Sequence, residues 1–463
     1  MLRDSLSRVI ALPGWRKLGG RIRINSKNKL EIHVPEAFSS QRPAFGFHHT
    51  SFDISIDEHP LSSKLPRPTL EKPSIQGQLS EFNTLGVPPG TPLCLDDYLK
   101  SDHPQLTVHI VSFTDATLVS ICWPHIAVDG MSLAHLGHAW SLALAGRVSE
   151  VPLMLSANDD PLANAGRDSA FTGPHPLEKQ QITGWRTYIF AFYYILDLIW
   201  WRTVESRVIF LPKTVAKELR DQALSSLRKE HPAPFLSEPD AIVAWLTIVV
   251  ISALFPKGSN RSVTIGNAYD LRGRVTSLFP VPNDKGAYIQ NAVFPCWTIV
   301  PAKIAHKRDE DTLGSIALAV RSSIQGQTTE ASIHAQARLT RDALDLSGIP
   351  PLFGNVNQFT IHFASVRVNL AESLDFRPAI KSDLGSMEHK YSAKNVWTAS
   401  PGHPVYYHIK CISPNNMLAR NYSLIAKSSA GDYWINGNYP PEVWKLMESM
   451  LQRFNEWVPK GES

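Results

Sequence analysis

Strand-like and helix-like hydrophobic patterns alternate along both halves of this 463-residue chain, and they predict an α/β protein built from two related units. Three observations carry the prediction. Leu106–Phe113 and Thr117–Trp123 have the alternation and apolar content of strands. Ala241–Leu254 is apolar almost throughout at helix length. A polar stretch containing proline and glycine, from about residue 156 to 184, separates two halves of similar content. At ~150 residues per domain the length suits two or three domains, and a 43% hydrophobic share is enough to fill two cores.

The elements follow in order. Leu2, Leu6, Val9 and Ile10 fall at helical spacing, and the charges between them exclude the unbroken apolar run of a signal peptide. Thr114-Asp115-Ala116 turns between the two strands. The second strand runs into Pro124-His125-Ile126-Ala127-Val128-Asp129-Gly130. A helix with Leu133, Leu136, Trp140 and Ala143 on one face comes next and stops at Gly146. Thr187–Trp201 is a helix crowded with aromatic residues. It is too short to span a bilayer, and burial between the units or against a ligand pocket is expected of it rather than membrane contact. Val208–Leu211 reads as a strand and Thr214–Leu227 as a helix with Val215, Leu219 and Ala223 on one face. The apolar helix after it has Ser237 as N-cap and acids in its first turn. Strands Val263–Gly266, Thr360–Val368, Val405–Ile409, Asn421–Ala426 and Tyr433–Asn436 lead to a last helix from Glu442 to about Trp457.

Composition and absent motifs narrow the function. A formal charge of +4 from 46 basic and 42 acidic residues is too balanced for an obligate nucleic-acid binder. Cys94, Cys122, Cys296 and Cys411 lie far apart, which fits a reducing, cytoplasmic setting better than a disulfide scaffold or a zinc ribbon. There is no glycine pair of the dinucleotide fingerprint, no G-x-x-x-x-G-K, no H-E-x-x-H and no G-x-S-x-G.

Two H-x-x-x-D pairs remain, His49…Asp53 and His125…Asp129, and only the second is followed by glycine, Gly130. The second also stands where an apolar strand passes into a helix, so its side chains can be held rigidly. The first follows no evident regular element, and His49 reads as structural. A neutral imidazole suits proton abstraction from a hydroxyl or amine near pH 7, which makes His125 the candidate base. Asp129 either orients that ring or turns away and locks the loop through an arginine. A metal site would need ligands that cannot be placed, so none is expected. Asp270, Arg272 and Arg274, in D-L-R-G-R after strand Val263–Gly266, are the second constellation, and either arginine is a candidate partner for Asp129.

On these residues the chain resembles the BAHD-type acyltransferases, particularly the fungal branch that looks like trichothecene 3-O-acetyltransferase. W-P-H-I-A-V-D-G carries the motif. Leu2–Glu36, Leu236–Trp245, D-L-R-G-R, Gly286–Ala292 and Gly431–Trp444 carry the flanks in order. The resemblance implies two chloramphenicol-acetyltransferase-like domains with mixed sheets, residues 1–155 and 206–463. A crossover of residues 156–205 would join them, with the active-site channel at their interface. It implies transfer of an acyl group, acetyl first, from acyl-CoA to a hydroxyl or amine of a small secondary metabolite. His125 would be the base and Asp129 its structural support, paired with Arg272 or Arg274. Asn357 or Thr360 would meet the oxyanion. A monomer with no tightly bound cofactor is expected; the alternatives are an inactive binding relative or a carrier-protein-dependent one. Two departures stand out. The chain opens in the family's first helix, without the strand expected before it. The family's D-F-G-W-G has only Leu374-Asp375-Phe376-Arg377-Pro378 as counterpart.

Overall fold

The computed structural model describes residues 1–69, 72–228, 234–281, 285–305, 310–366, 373–380, 401–412, 419–428 and 430–457. Strands are numbered β1 Arg21–Ile24, β2 Leu30–His33, β3 Gly46–Ser51, β4 Ser74–Gln78, β5 Thr107–Ser112 and β6 Thr117–Cys122. They continue as β7 Glu205–Leu211, β8 Ser262–Asp270, β9 Val293–Pro301, β10 Phe359–Val366, β11 Tyr422–Lys427 and β12 Tyr433–Tyr439. Among the described residues, β3-β5-β6 form a three-stranded sheet and β9-β8-β10-β11-β12-β7-β4 a seven-stranded one. Both sheets are mixed: β8–β10–β11 are parallel, as are β3–β5, and their other neighbours run antiparallel. This is the mixed α/β architecture expected. Strand β4 crosses over from the first half of the chain to pair with β7 at one edge of the larger sheet.

Helix α1 (Leu2–Ala11) buries Leu6, Val9 and Ile10 against α2 (Gly130–Leu144), whose Leu133, Leu136, Trp140 and Ala143 are buried as the spacing requires. The Trp140 indole donates to Ser5 Oγ at 2.9 Å, which fixes the two helices in register. The larger sheet packs on α4 (Lys213–Leu227) and α5 (Glu238–Leu254), numbered after helix α3 (Trp185–Trp200). Every residue from Ala241 to Ile251 is buried, so α5 lacks a polar stripe because it has no wet face. Its start carries the expected cap. Asp240 Oδ2 accepts from the Ser237 backbone N–H at 2.7 Å and from Arg321 Nε at 2.8 Å.

Two expectations fail. Among the described residues Val405–Ile409 pairs with no strand; Tyr407 and Ile409 pack instead against the core around α2. Thr187–Trp201 does form a helix, α3, but no residue of it is buried. Arg367 and Val368, the end of the predicted strand Thr360–Val368, lie outside the described residues.

Candidate active site

Strand β6 delivers Trp123 and Pro124 to a turn, closed by the Ala127 N–H on the Pro124 carbonyl at 3.0 Å, that carries His125 and Ile126 outward. Three contacts hold this loop. The Trp123 indole donates to the Val128 carbonyl at 3.2 Å. The Asn291 amide donates to the His125 carbonyl at 2.6 Å. Asp129 anchors the far end as N-cap of α2, accepting from the Ser132 N–H at 2.9 Å.

The Asp129 carboxylate faces away from His125. Its Oδ2 accepts from Arg272 Nη2 at 3.0 Å and from the Ala292 N–H at 2.9 Å. Arg272 is itself held at every nitrogen: Nε donates to the Tyr288 carbonyl at 2.9 Å, Nη1 to Asp270 Oδ1 at 2.7 Å, and Nη2 also to the Gln290 carbonyl. Thus D-L-R-G-R and Gly286–Ala292 close on the base of the histidine loop. Gly273, at φ +69°, takes the left-handed turn that sends the two arginines to different tasks. Arg274 goes elsewhere, with its guanidinium over the Tyr269 ring at 5.9 Å and Nη1 3.4 Å from Thr328 Oγ1. Burial alone would raise the Asp129 carboxyl, but the Arg272 charge and the donated N–H groups outweigh it and hold the group below the usual carboxylate range. Asp270 shares the same guanidinium, yet burial outweighs that help and its carboxyl is pushed up.

A cavity of about 3210 Å³ lies between the two sheets, lined from the small sheet by Ile110, Val119 and Ile121 and from the large one by Asn267, Ala364 and Asn436. His125, Asp129, Gly130, Asp270, Arg272 and Arg274 all border it. A Cβ at Gly130 would meet only Ile409 Cδ1 at 3.9 Å, so that glycine keeps the helix start open to the cavity rather than relieving a clash. Other titratable groups in the wall are weaker candidates for a base. Burial pushes the Cys122 thiol up to about 11, which keeps it neutral, and lowers His408 to about 4, which makes it a poor proton acceptor. His49 does stand on a regular element, β3, with Nε2 3.0 Å from Ser112 Oγ, and borders the cavity too. The segment Leu374–Pro378 packs on α2, where Phe376 meets Trp140 edge-on at 5.5 Å and the Asp375 N–H donates to Ser141 Oγ at 2.9 Å.

Asn357 and Thr360 are not brought to this site. Thr360, the second residue of β10, stands opposite Thr264, six residues before Asp270 on the neighbouring strand, a separation of about 20 Å at ~3.3 Å per residue. The Asn357 carbonyl accepts from Arg261 Nε at 2.8 Å, at that same far end. The residues of β10 that border the cavity are Ala364 and Ser365.

The sequence reading missed Asn436. It lies in the cavity wall, 5% exposed, and neither polar atom of its amide has a partner among the described residues. Asn267 is similar, its Nδ2 buried and without a partner among the described residues. The signal was available: Asn436 and Asn438 alternate along one face of an otherwise apolar strand.

No family model matches the chain. Among curated proteins it is similar to acetyltransferase pyiB of Pyricularia grisea, 34% identical over 465 residues, covering 99% of this chain and 88% of that one. It is similar to O-acetyltransferase PaAT-2 of Phomopsis amygdali, 32% identical over 471 residues, covering 98% and 91%. A protein named transcriptional regulator calD, of Penicillium decumbens, is 32% identical over 454 residues, covering 97% and 88%. Among solved structures, TRI101 of F. sporotrichioides with coenzyme A and T-2 superposes with a TM-score of 0.64 at 14% identity, covering 99% of this chain and 89% of that one. Vinorine synthase superposes with a TM-score of 0.57 at 16% identity, covering 98% and 84%. These two share the fold of paired chloramphenicol-acetyltransferase-like domains. With near-full-length relatives above 30% identity and this fold, the chain belongs to the BAHD-type acyltransferases, among the fungal acetyltransferases.

Proposed function

We propose that this protein transfers an acyl group, acetyl in the first instance, from an acyl-CoA thioester to a hydroxyl of a small oxygenated metabolite, with His125 as the base. The observation that carries the reading is the outward-facing imidazole on a loop clamped from behind by Asp129 and Arg272, at the border of a cavity between two sheets. As the acceptor oxygen attacks the thioester carbonyl, its proton passes to the imidazole. The tetrahedral intermediate then expels the CoA thiolate, which takes the proton back. Base catalysis of this kind contributes ~10²–10⁴ in rate, and positioning in the channel supplies much of the rest. Arg272 is fully engaged and neutralised, so it supports the loop and stays out of the chemistry. The acetyltransferase relatives and the coenzyme A in the solved TRI101 structure support the donor.

The unpaired Asn436 amide supports the acceptor class. A buried donor and acceptor without partners is costly unless a ligand satisfies both, so the acceptor carries a carbonyl or second hydroxyl besides the reacting one. The test is to incubate the purified chain with acetyl-CoA, and separately with an acetylated carrier protein, and a panel of mono- and polyoxygenated alcohols. Thiol release and ester formation are then followed by absorbance and mass spectrometry. Transfer from CoA to polyoxygenated alcohols supports the reading. Transfer only from the carrier protein, or none from either donor, overturns it.

A further inference from the structure

Helix α3 is inside out. Its outward stripe consists of Trp185, Tyr188, Phe192, Ile195, Ile199 and Trp200, with exposures from 53% to 81%. Trp185, Tyr188, Phe192, Ile195 and Ile199 recur at three- and four-residue spacing along one face, and Trp200 adjoins them at the helix end. Its acid, Asp197, points the other way, into the protein, where it accepts from Arg261 Nη1 and Nη2 at 2.7 and 2.9 Å. Trp201, the next residue, packs edge-on against Phe255 and Phe359, and its carbonyl accepts from Arg420. Before the helix, Gln181 and Ile182 pair with Phe353 and Leu352. Both ends are therefore tied to the body, and the apolar face is held outward by a bidentate ion pair. That arrangement opposes the ordinary water-facing choice.

We propose that this face is a docking surface for an anionic lipid bilayer, on which α3 lies flat. A 16-residue helix is about 24 Å long, and no helix among the described residues is long and apolar enough to cross a membrane. Tryptophan stands at each end of the stripe and tyrosine within it, the side chains whose rings settle at the headgroup level. Lys179 and Arg202, exposed just outside the two ends of the helix, have no carboxylate partner among the described residues. They complement anionic headgroups. The proposal goes beyond the catalytic reading and uses none of its residues.

The test is vesicle co-sedimentation of the full chain, with tryptophan emission recorded on the same samples. Vesicles of phosphatidylcholine with phosphatidylserine are compared with vesicles of phosphatidylcholine alone. The wild type is expected to bind the mixed vesicles, more weakly at high salt, with a blue shift from Trp185 and Trp200. The triple variant Trp185→Ser, Phe192→Ser, Ile199→Ser should lose on the order of a hundredfold in partitioning. The second variant, Lys179→Glu with Arg202→Glu, leaves the stripe intact and should lose at least about tenfold on mixed vesicles only. Both should keep the wild-type rate of acetyl-CoA turnover, which shows that they fold. Wild-type protein that binds neither vesicle overturns the proposal. So does a triple variant that binds as well as the wild type, or a wild-type dimer in sedimentation velocity that the triple variant converts to monomer.

Discussion

Asp129 and Arg272 stand 143 residues apart in the sequence and 3.0 Å apart in the fold, both nearly closed to solvent. The aspartate of the H-x-x-x-D-G motif is thereby committed to an ion pair behind the histidine loop, and of the two arginines in D-L-R-G-R it is Arg272 that reaches it. Removing one partner of a buried pair leaves the other charge uncompensated, at a cost of ~3–5 kcal/mol. Asp129→Asn should therefore lower the melting temperature and the transfer rate together. A double-mutant cycle in chemical denaturation should give strong coupling of Asp129 with Arg272 and none with Arg274. Coupling to Arg274 instead, or a changed pH–rate profile with stability intact, would point to a different role for Asp129.

Asn436 makes a prediction of opposite sign. Asn436→Leu removes two unsatisfied polar atoms from a buried wall, so the ligand-free protein should be as stable as the wild type or up to about 2 kcal/mol more stable. The same change should raise KM for polyoxygenated acceptors at least tenfold and leave KM for a mono-alcohol and for acetyl-CoA near the wild-type values. Loss of stability in the variant would show that Asn436 serves the fold rather than the acceptor.

Acid should weaken the protein before the carboxylates protonate. Burial lowers His175 and His362 to about 4 from the ordinary value of 6.5. Between those values the unfolded chain binds more protons than the folded one, so stability is full above about 6.5 and falls as pH drops toward 4. Each group accounts for up to about 3 kcal/mol over that window. The Asp129 pair adds a further loss only at still lower pH, because its carboxyl is held below the usual range. Denaturation midpoints at pH 7 and 5 should differ, and His175→Phe, which preserves stacking on Phe353, should narrow the difference. An unchanged midpoint across that interval would contradict the burial argument.

Much of this was legible in the sequence, for physical reasons that name their own limits. Helices α1, α2 and α5 were readable because one-sided or complete burial leaves a periodic or continuous apolar pattern. The loop at His125 was readable because a strand, a motif and a capped helix follow one another without a gap. The same logic misled at α3. Apolar content implies withdrawal from water but does not say into what, and here Asp197, with Tyr193 over the same arginine, faces the body while Trp185, Tyr188 and Phe192 face out. Val405–Ile409 alternates like a strand, yet pairing is a property of neighbours that a single segment cannot show. Asn357 and Thr360 rest on resemblance, and register decides otherwise: β10 enters the sheet at the end remote from Asp270. The choice between Arg272 and Arg274 was likewise beyond the sequence, since it turns on the left-handed Gly273.

The central claim is that His125 is the base. The most direct measurement is the rate of acetyl transfer by His125→Ala at saturating acetyl-CoA, beside His138→Ala, a change at an exposed histidine of α2 away from the cavity. Because His125 is exposed on a loop secured through its carbonyl and through Asp129, the alanine variant should melt with the wild type. Its rate should fall by ~10²–10⁴, while His138→Ala keeps the wild-type rate. A His125→Ala protein that melts normally and still transfers acetyl groups at a rate comparable to His138→Ala would contradict the assignment.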